Sequence, residues 1–249
     1  MDKILEKLGN LEKNKDIKIL LAVESGSREW GFSSEDSDFD VRCVHVNRKE
    51  SYLGLKDVEE QIELMGDNID IVSWDIKKFL SLFLKSNPTV SEWLCSKKVY
   101  KSFKLFSQSY LLKLFEKGFS RSKLQMHYIN LAKENYYKYI DKPEQVSLKK
   151  YVYILRGLGC MEFIAKTNKI PPLNWKESYI YLPHEIKKVF EKIVELKKKT
   201  EASRGKRYGE VDRWVEEEFM KKIEQDKESF NFEEINDIAV KNINNFDKT

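Results

Sequence analysis

Residues 24–42 read ESGSREWGFSSEDSDFDVR. The stretch opens where an apolar run, IKILLAV at 17–23, comes to an end. It turns through Gly26 and Ser27 and closes with Asp38, Phe39 and Asp40 at the head of a second apolar run, FDVRCVHV at 39–46. Side chains at i and i+2 of a strand point to one face. The spacing therefore predicts that Asp38 and Asp40 project together while Phe39 turns the other way into the core. Two neighbouring carboxylates repel, and at a strand end inside a cleft they need a cation. Paired hard oxygens are the donors that magnesium takes.

Working outward, 58–64 and 69–73 read as two further strands, separated by the turn-like Gly66, Asp67 and Asn68. Asp70 alternates with Ile69 and Ile71, so a strand there that neighbours the Asp38/Asp40 strand brings three carboxylates to one place. Three carboxylates can hold two magnesium ions, with manganese as a substitute, in the arrangement that serves in-line phosphoryl transfer. Gly26 lets backbone approach a phosphate, and a helix starting at Ser27 would aim free amides at a triphosphate. Arg28 and Arg42 are the cations of this stretch, and Arg28 is a candidate phosphate contact. Asp75, just before a helical run, reads as an N-cap.

Beyond residue 100 the texture changes. Segments 101–117, 122–140, 148–166, 183–199 and 208–227 repeat apolar residues at three and four with Lys and Glu between them, the pattern of amphipathic helices. The reading is an α+β chain: a mixed sheet with flanking helices over residues 1–100, then an α-helical domain over 101–249. Lys149, Tyr153 and Arg156 recur at four and three, so one helix face there would offer a cation, a ring and a guanidinium to a nucleotide. The basic residues Lys197, Lys198, Lys199, Arg204, Lys206 and Arg207 precede Glu216, Glu217 and Glu218 and read as solvated charged faces of helices.

Composition limits the alternatives. Of the 249 residues 35% are charged, yet 45 Lys+Arg against 41 Asp+Glu leave a net charge of only +4, too little for an electrostatic clamp on nucleic acid. Hydrophobic residues at 41% and aromatics at 12% supply a core and exclude disorder. Cys43, Cys95 and Cys160 stand too far apart for a zinc motif, and their odd number favours a reducing compartment. The charged N-terminal segment lacks the apolar stretch of a secretory leader, and no run is long enough to span a bilayer. The expectation is a soluble cytoplasmic protein with no membrane partner.

A Gly-Ser pair after a strand, an Asp-x-Asp about ten residues on and a remote strand Asp together resemble the DNA polymerase β nucleotidyltransferase superfamily. The longer blocks GSREWGFSSEDSDFDVR, IDIVSWDIKKFLSLFLKSNPTVSEWLCS, KKYVYILRGLGCMEFI and KIPPLNW are similar to its RlaP or YcgL-like branch, whose name is associated with RNA repair. The resemblance implies a nucleotidyltransferase domain that moves a nucleoside monophosphate from an NTP, such as ATP, to a hydroxyl, with an RNA (tRNA) end as the favoured acceptor. It implies Gly26 and Ser27 as the phosphate-binding turn and Asp38 and Asp40 as the metal-bridging pair. Asp70 becomes the ligand of the metal that activates the acceptor. Nucleotidylation of a protein or small molecule, or a silent nucleotide- or RNA-binding module, are the alternatives.

Overall fold

The computed structural model describes residues 2–141, 145–199 and 204–248. In chain order the first elements are α1 (Asp2–Lys15), β1 (Ile17–Ser25), the single turn α2 (Gly26–Trp30), β2 (Phe39–Asn47), α3 (Lys49–Leu53), β3 (Gln61–Gly66) and β4 (Ile69–Asp75). Next come α4 (Ile76–Leu84), α5 (Pro88–Cys95), β5 (Val99–Ser102) and α6 (Gln108–Gly118). The remainder comprises α7 (Arg121–Tyr139), β6 (Gln145–Ser147), α8 (Leu148–Thr167), α9 (Trp175–Ser178), α10 (His184–Lys197), β7 (Arg204–Lys206), α11 (Gly209–Phe219) and α12 (Phe232–Asn244).

The chain forms two compact units, neither of them contiguous. One contains residues 1–29, 38–119 and 228–249, and the other contains 30–37 and 120–227. This division differs from a cut at residue 100, because helical segments on both sides of the second unit build the first. Residues 99–102 are a strand rather than the start of a helix, since Val99 to Ser102 hydrogen-bond along β1. The helix expected over 208–227 stops at Phe219, and 220–231 runs without regular structure.

The first unit is built on a mixed five-stranded sheet in the order β3-β4-β2-β1-β5. β1 runs antiparallel to β2 and β5, β3 runs antiparallel to β4, and β2 and β4 are parallel. One face is closed by α1, whose Ile4, Leu8 and Leu11 recur at four and three and pack with Ile19, Val41, Cys43, Ile69 and Ile71. These residues alternate along β2 and β4, so Asp40, Arg42, Asp70 and Trp74 belong to the opposite face. There Trp74 lies against Trp93 of α5, with centroids 4.2 Å apart, and Phe79 of α4 joins them. The C-terminal segment completes this layer: Phe230 meets Phe83 and Phe115, and its ring occupies the space that a side chain at Gly118 would need. Asp75 caps α4 as expected, accepting from the Lys77 amide at 2.8 Å.

In the second unit α8 is the central helix, with twelve of its residues buried. It lies along α7, and Gly157 allows the approach, since a Cβ there would stand 3.3 Å from the Tyr128 carbonyl. Residues 204–206 pair with β6 as a strand, correcting the all-helix reading of the basic run. Lys197 is not solvated either: it is fully buried, and its Nζ donates to the Phe32 carbonyl at 3.1 Å and reaches Ser37 Oγ at 3.4 Å. Asp212 holds two more groups of the run's neighbourhood, accepting from Tyr151 Oη at 2.6 Å and Arg207 Nε at 2.8 Å.

Candidate active site

The site lies where β1 ends and β2 and β4 begin, on the sheet face opposite α1. Parallel pairing places Asp40 of β2 directly beside Asp70 of β4 in register. Both carboxylates are about three-quarters buried, and one guanidinium bridges them: Arg42 Nη2 stands 2.8 Å from Asp40 Oδ1 and 3.0 Å from Asp70 Oδ2. Arg42 Nη1 donates to the backbone carbonyls of Val41 and Asp70, at 3.2 and 3.1 Å. Arg42 is two residues from Asp40, and strand alternation alone puts it on the same face.

Gly26 closes the other side. Its φ is +64°, and Asp40 Oδ2 occupies the place of the missing side chain. Ser27 is buried behind it. The helix expected to start here is a five-residue single turn, so its contribution is the amides of a tight turn, with little macrodipole. Arg28 stacks on the face of Phe39, 4.0 Å from the ring centroid, and its Nε donates to the Asp38 carbonyl at 3.1 Å. Phe39 is therefore not in the core. At 37% exposure it stands at the first position of β2, where the Arg28 guanidinium lies over its ring.

Asp38 departs from the expected convergence for a related reason. β2 begins only at Phe39, so ladder pairing does not fix residue 38, and Asp38 is exposed. Among the described residues no group of three or more His, Cys, Asp or Glu side chains is gathered closely enough to hold a metal ion. The pair that remains nonetheless fits a hard divalent cation. It offers only carboxylate oxygens, and Asp70 Oδ1 is buried with no hydrogen-bond partner, a costly state for an anionic oxygen.

Glu24 is a member of this site that the residue pattern did not single out. It sits at the end of β1, is 4% exposed, accepts the Asp40 amide at 2.9 Å and receives the Tyr100 hydroxyl. Burial pushes its carboxyl above the usual range, against the hydrogen bonds from Tyr100 and the Asp40 amide. A charged residue closing an otherwise apolar strand beside the Gly-Ser turn was the available signal. His45, further along β2, is a buried structural residue held through Nδ1 to Ser73 Oγ at 2.8 Å, and desolvation lowers its pKa.

The expected nucleotide face of α8 lies in the second unit. Arg156 is 4% exposed and its guanidinium lies 4.1 Å over the Trp30 ring. Tyr153 meets the same Trp30 edge-on at 5.5 Å, and Lys149 stands 5.8 Å from the Tyr153 centroid. Arg156 is thus part of a buried aromatic stack, not a solvent-facing cation.

The geometry thus sets two paired carboxylates beside a Gly-Ser turn on a mixed sheet. The chain belongs to the RlaP family, described as the RNA repair pathway DNA polymerase beta family, whose profile matches residues 1–246. It is 36% identical over 231 residues to the uncharacterized protein YcgL of Bacillus subtilis (strain 168), covering 91% of this chain and 88% of that one. Among solved structures it is similar to a nucleotidyltransferase-like protein from Exiguobacterium sibiricum 255-15, with TM-score 0.33 and 11% identity over 98% of this chain and 77% of that one. Among the described residues no helix is long and apolar enough to cross a membrane.

Proposed function

We propose that the first unit transfers a nucleoside monophosphate from an NTP to an acceptor hydroxyl, and that the acceptor is an RNA end, such as that of a tRNA. The observation that carries this reading is the Asp40–Asp70 pair, set side by side by parallel strands and pressed against Gly26. In the reaction the acceptor oxygen bonds to the α-phosphorus, the bond to the β-phosphate oxygen breaks, and pyrophosphate leaves. Membership of a family described by RNA repair supports the RNA acceptor.

Each residue has a role in this reading. Asp40 and Asp70 would hold Mg2+ or Mn2+, with the exposed Asp38 as a further ligand at the rim. When bound, the cation lowers the pKa of the acceptor hydroxyl and neutralises the developing pyrophosphate charge. Gly26 and Ser27 would offer turn amides to the phosphates, with the Asp40 carboxylate packed in the space that Gly26 leaves. Glu24 fixes the Asp40 amide and so the start of β2. Arg28 meets a phosphate only by leaving Phe39. Lys149, Tyr153 and Arg156 remain our candidates for nucleotide contact in the second unit. We also assign the protein to the cytoplasm, a reading supported by free cysteines at 43, 95 and 160.

The test is incubation with each α-labelled NTP, Mg2+ or Mn2+ and total RNA. Label in RNA is the expected result. Label in protein or in a small molecule overturns the RNA acceptor, and no transfer above that of Asp40→Asn overturns the enzyme reading.

A further inference from the structure

Arg42 stands where the charge of a cation is needed. Its Nη2 reaches both Asp40 Oδ1 and Asp70 Oδ2, and its Nη1 is anchored on two backbone carbonyls. The Arg42 side chain is only 18% exposed, and those of Asp40 and Asp70 are 26% and 25% exposed. Such partly desolvated charges interact more strongly than surface pairs. The planar Arg42 fork offers donors to both carboxylates at once. Without it, two registered carboxylates on neighbouring strands would face each other uncompensated.

We infer that Arg42 is a built-in counter-ion that holds the Asp40–Asp70 pair together in the metal-free protein and competes with a divalent cation for it. The inference rests on the reading of Asp40 and Asp70 as cation ligands. A cation that takes both carboxylates displaces Arg42 Nη2, so metal affinity is set by the difference between the two partners. Arg42 thereby tunes the site to a divalent charge: a monovalent ion brings no more charge than the guanidinium it would replace.

The geometry also accounts for the remaining oxygens. Arg42 leaves Asp70 Oδ1 and Asp40 Oδ2 out of its bridge, the first buried without a partner and the second against Gly26.

The test measures Mn2+ binding to the full chain by the electron paramagnetic resonance of free Mn2+, for the parent, Arg42→Gln and Arg42→Lys, with folding checked by circular dichroism. Arg42→Gln is expected to bind Mn2+ about tenfold more tightly, within the usual range of coupling between two ligands of one site. Arg42→Lys, which keeps the charge, should stay within about threefold of the parent. Equal or weaker binding by folded Arg42→Gln overturns the inference and leaves the cation reading standing. No saturable binding by any of the three proteins overturns both. A second measurement needs only the parent: during a Mg2+ titration the Arg42 Nε–H resonance, identified by its loss in Arg42→Lys, should shift in step with saturation. A resonance that stays in place while Mg2+ binds overturns the inference.

Discussion

A side chain at residue 26 would displace the carboxylate of Asp40: a Cβ built on Gly26 would stand 1.9 Å from Asp40 Oδ2. The glycine also holds φ at +64°, in the left-handed region that L side chains disfavour. Gly26 thus serves the site twice, by turning the chain and by leaving room for a carboxylate.

Gly26→Ala should therefore cost about 2–4 kcal/mol, part backbone strain and part overlap. In an Asp40→Ala background the two closest atoms are gone and only the residue-40 Cβ, at 3.1 Å, still presses, so the same substitution should cost only about 1–2 kcal/mol. Urea denaturation of the four proteins in this cycle measures the difference. Equal costs in both backgrounds would show that Asp40 does not press on the turn.

Asp40→Asn and Asp70→Asn should each lower nucleotidyl transfer by about two orders of magnitude or more, the scale seen when one group of a catalytic unit is removed. Neither should gain much stability in metal-free buffer, because Arg42 already offsets the repulsion between the two carboxylates. Changes within about 1 kcal/mol are expected from thermal unfolding in chelator. A large stabilisation would mean that the guanidinium does not bridge the pair in solution.

Asp226 gives the second unit a pH signature. Desolvation raises its pKa, but hydrogen bonds from the Ser120 and Ser122 hydroxyls and from the Ser122 and Arg121 amides outweigh that and hold it well below the ordinary range. A carboxylate depressed in the folded state stabilises above its unfolded pKa, and that stabilisation is lost as pH falls toward the folded value. Asp226→Asn should destabilise by about 1–2 kcal/mol at pH 7, the usual effect of losing a helix cap. The gap between parent and variant should narrow below about pH 4, the unperturbed carboxylate range. A gap that stays constant from pH 7 to pH 3 would refute the assignment.

Desolvation pushes the thiols of buried Cys43 and half-buried Cys95 up to about 12, and Cys160 is buried. A buried thiol that is not ionised does not react. The native protein should show no fast thiol labelling at pH 8, and all three cysteines should label after unfolding. Rapid labelling of one equivalent in native buffer would place a cysteine in an accessible, activated environment.

Period-two alternation was enough to place Asp40 and Asp70 on strands, and local chemistry was enough to make Asp75 a cap. Both are decided within a few residues, by where successive side chains point and which amide a side chain can reach. Asp38 shows the limit of that rule, because alternation holds only where a ladder fixes the backbone, and β2 starts one residue later. The pairing of Asp40 with Asp70 required parallel register between segments thirty residues apart. Arg42 could bridge them only after that register existed. The exposure of Phe39, the burial of Arg156 under Trp30 and of Lys197 beneath Phe32, and the return of 228–249 to the sheet unit all depended on which distant surfaces met. The sequence by itself determined the strands that carry the carboxylates and the Asp75 cap, since these follow from local geometry, whereas residues 99–102 and 204–206 became strands only by pairing with β1 and β6. Only the tertiary structure decided which charges are paired and which are buried, because desolvation and ion pairing depend on neighbours that chain order does not specify.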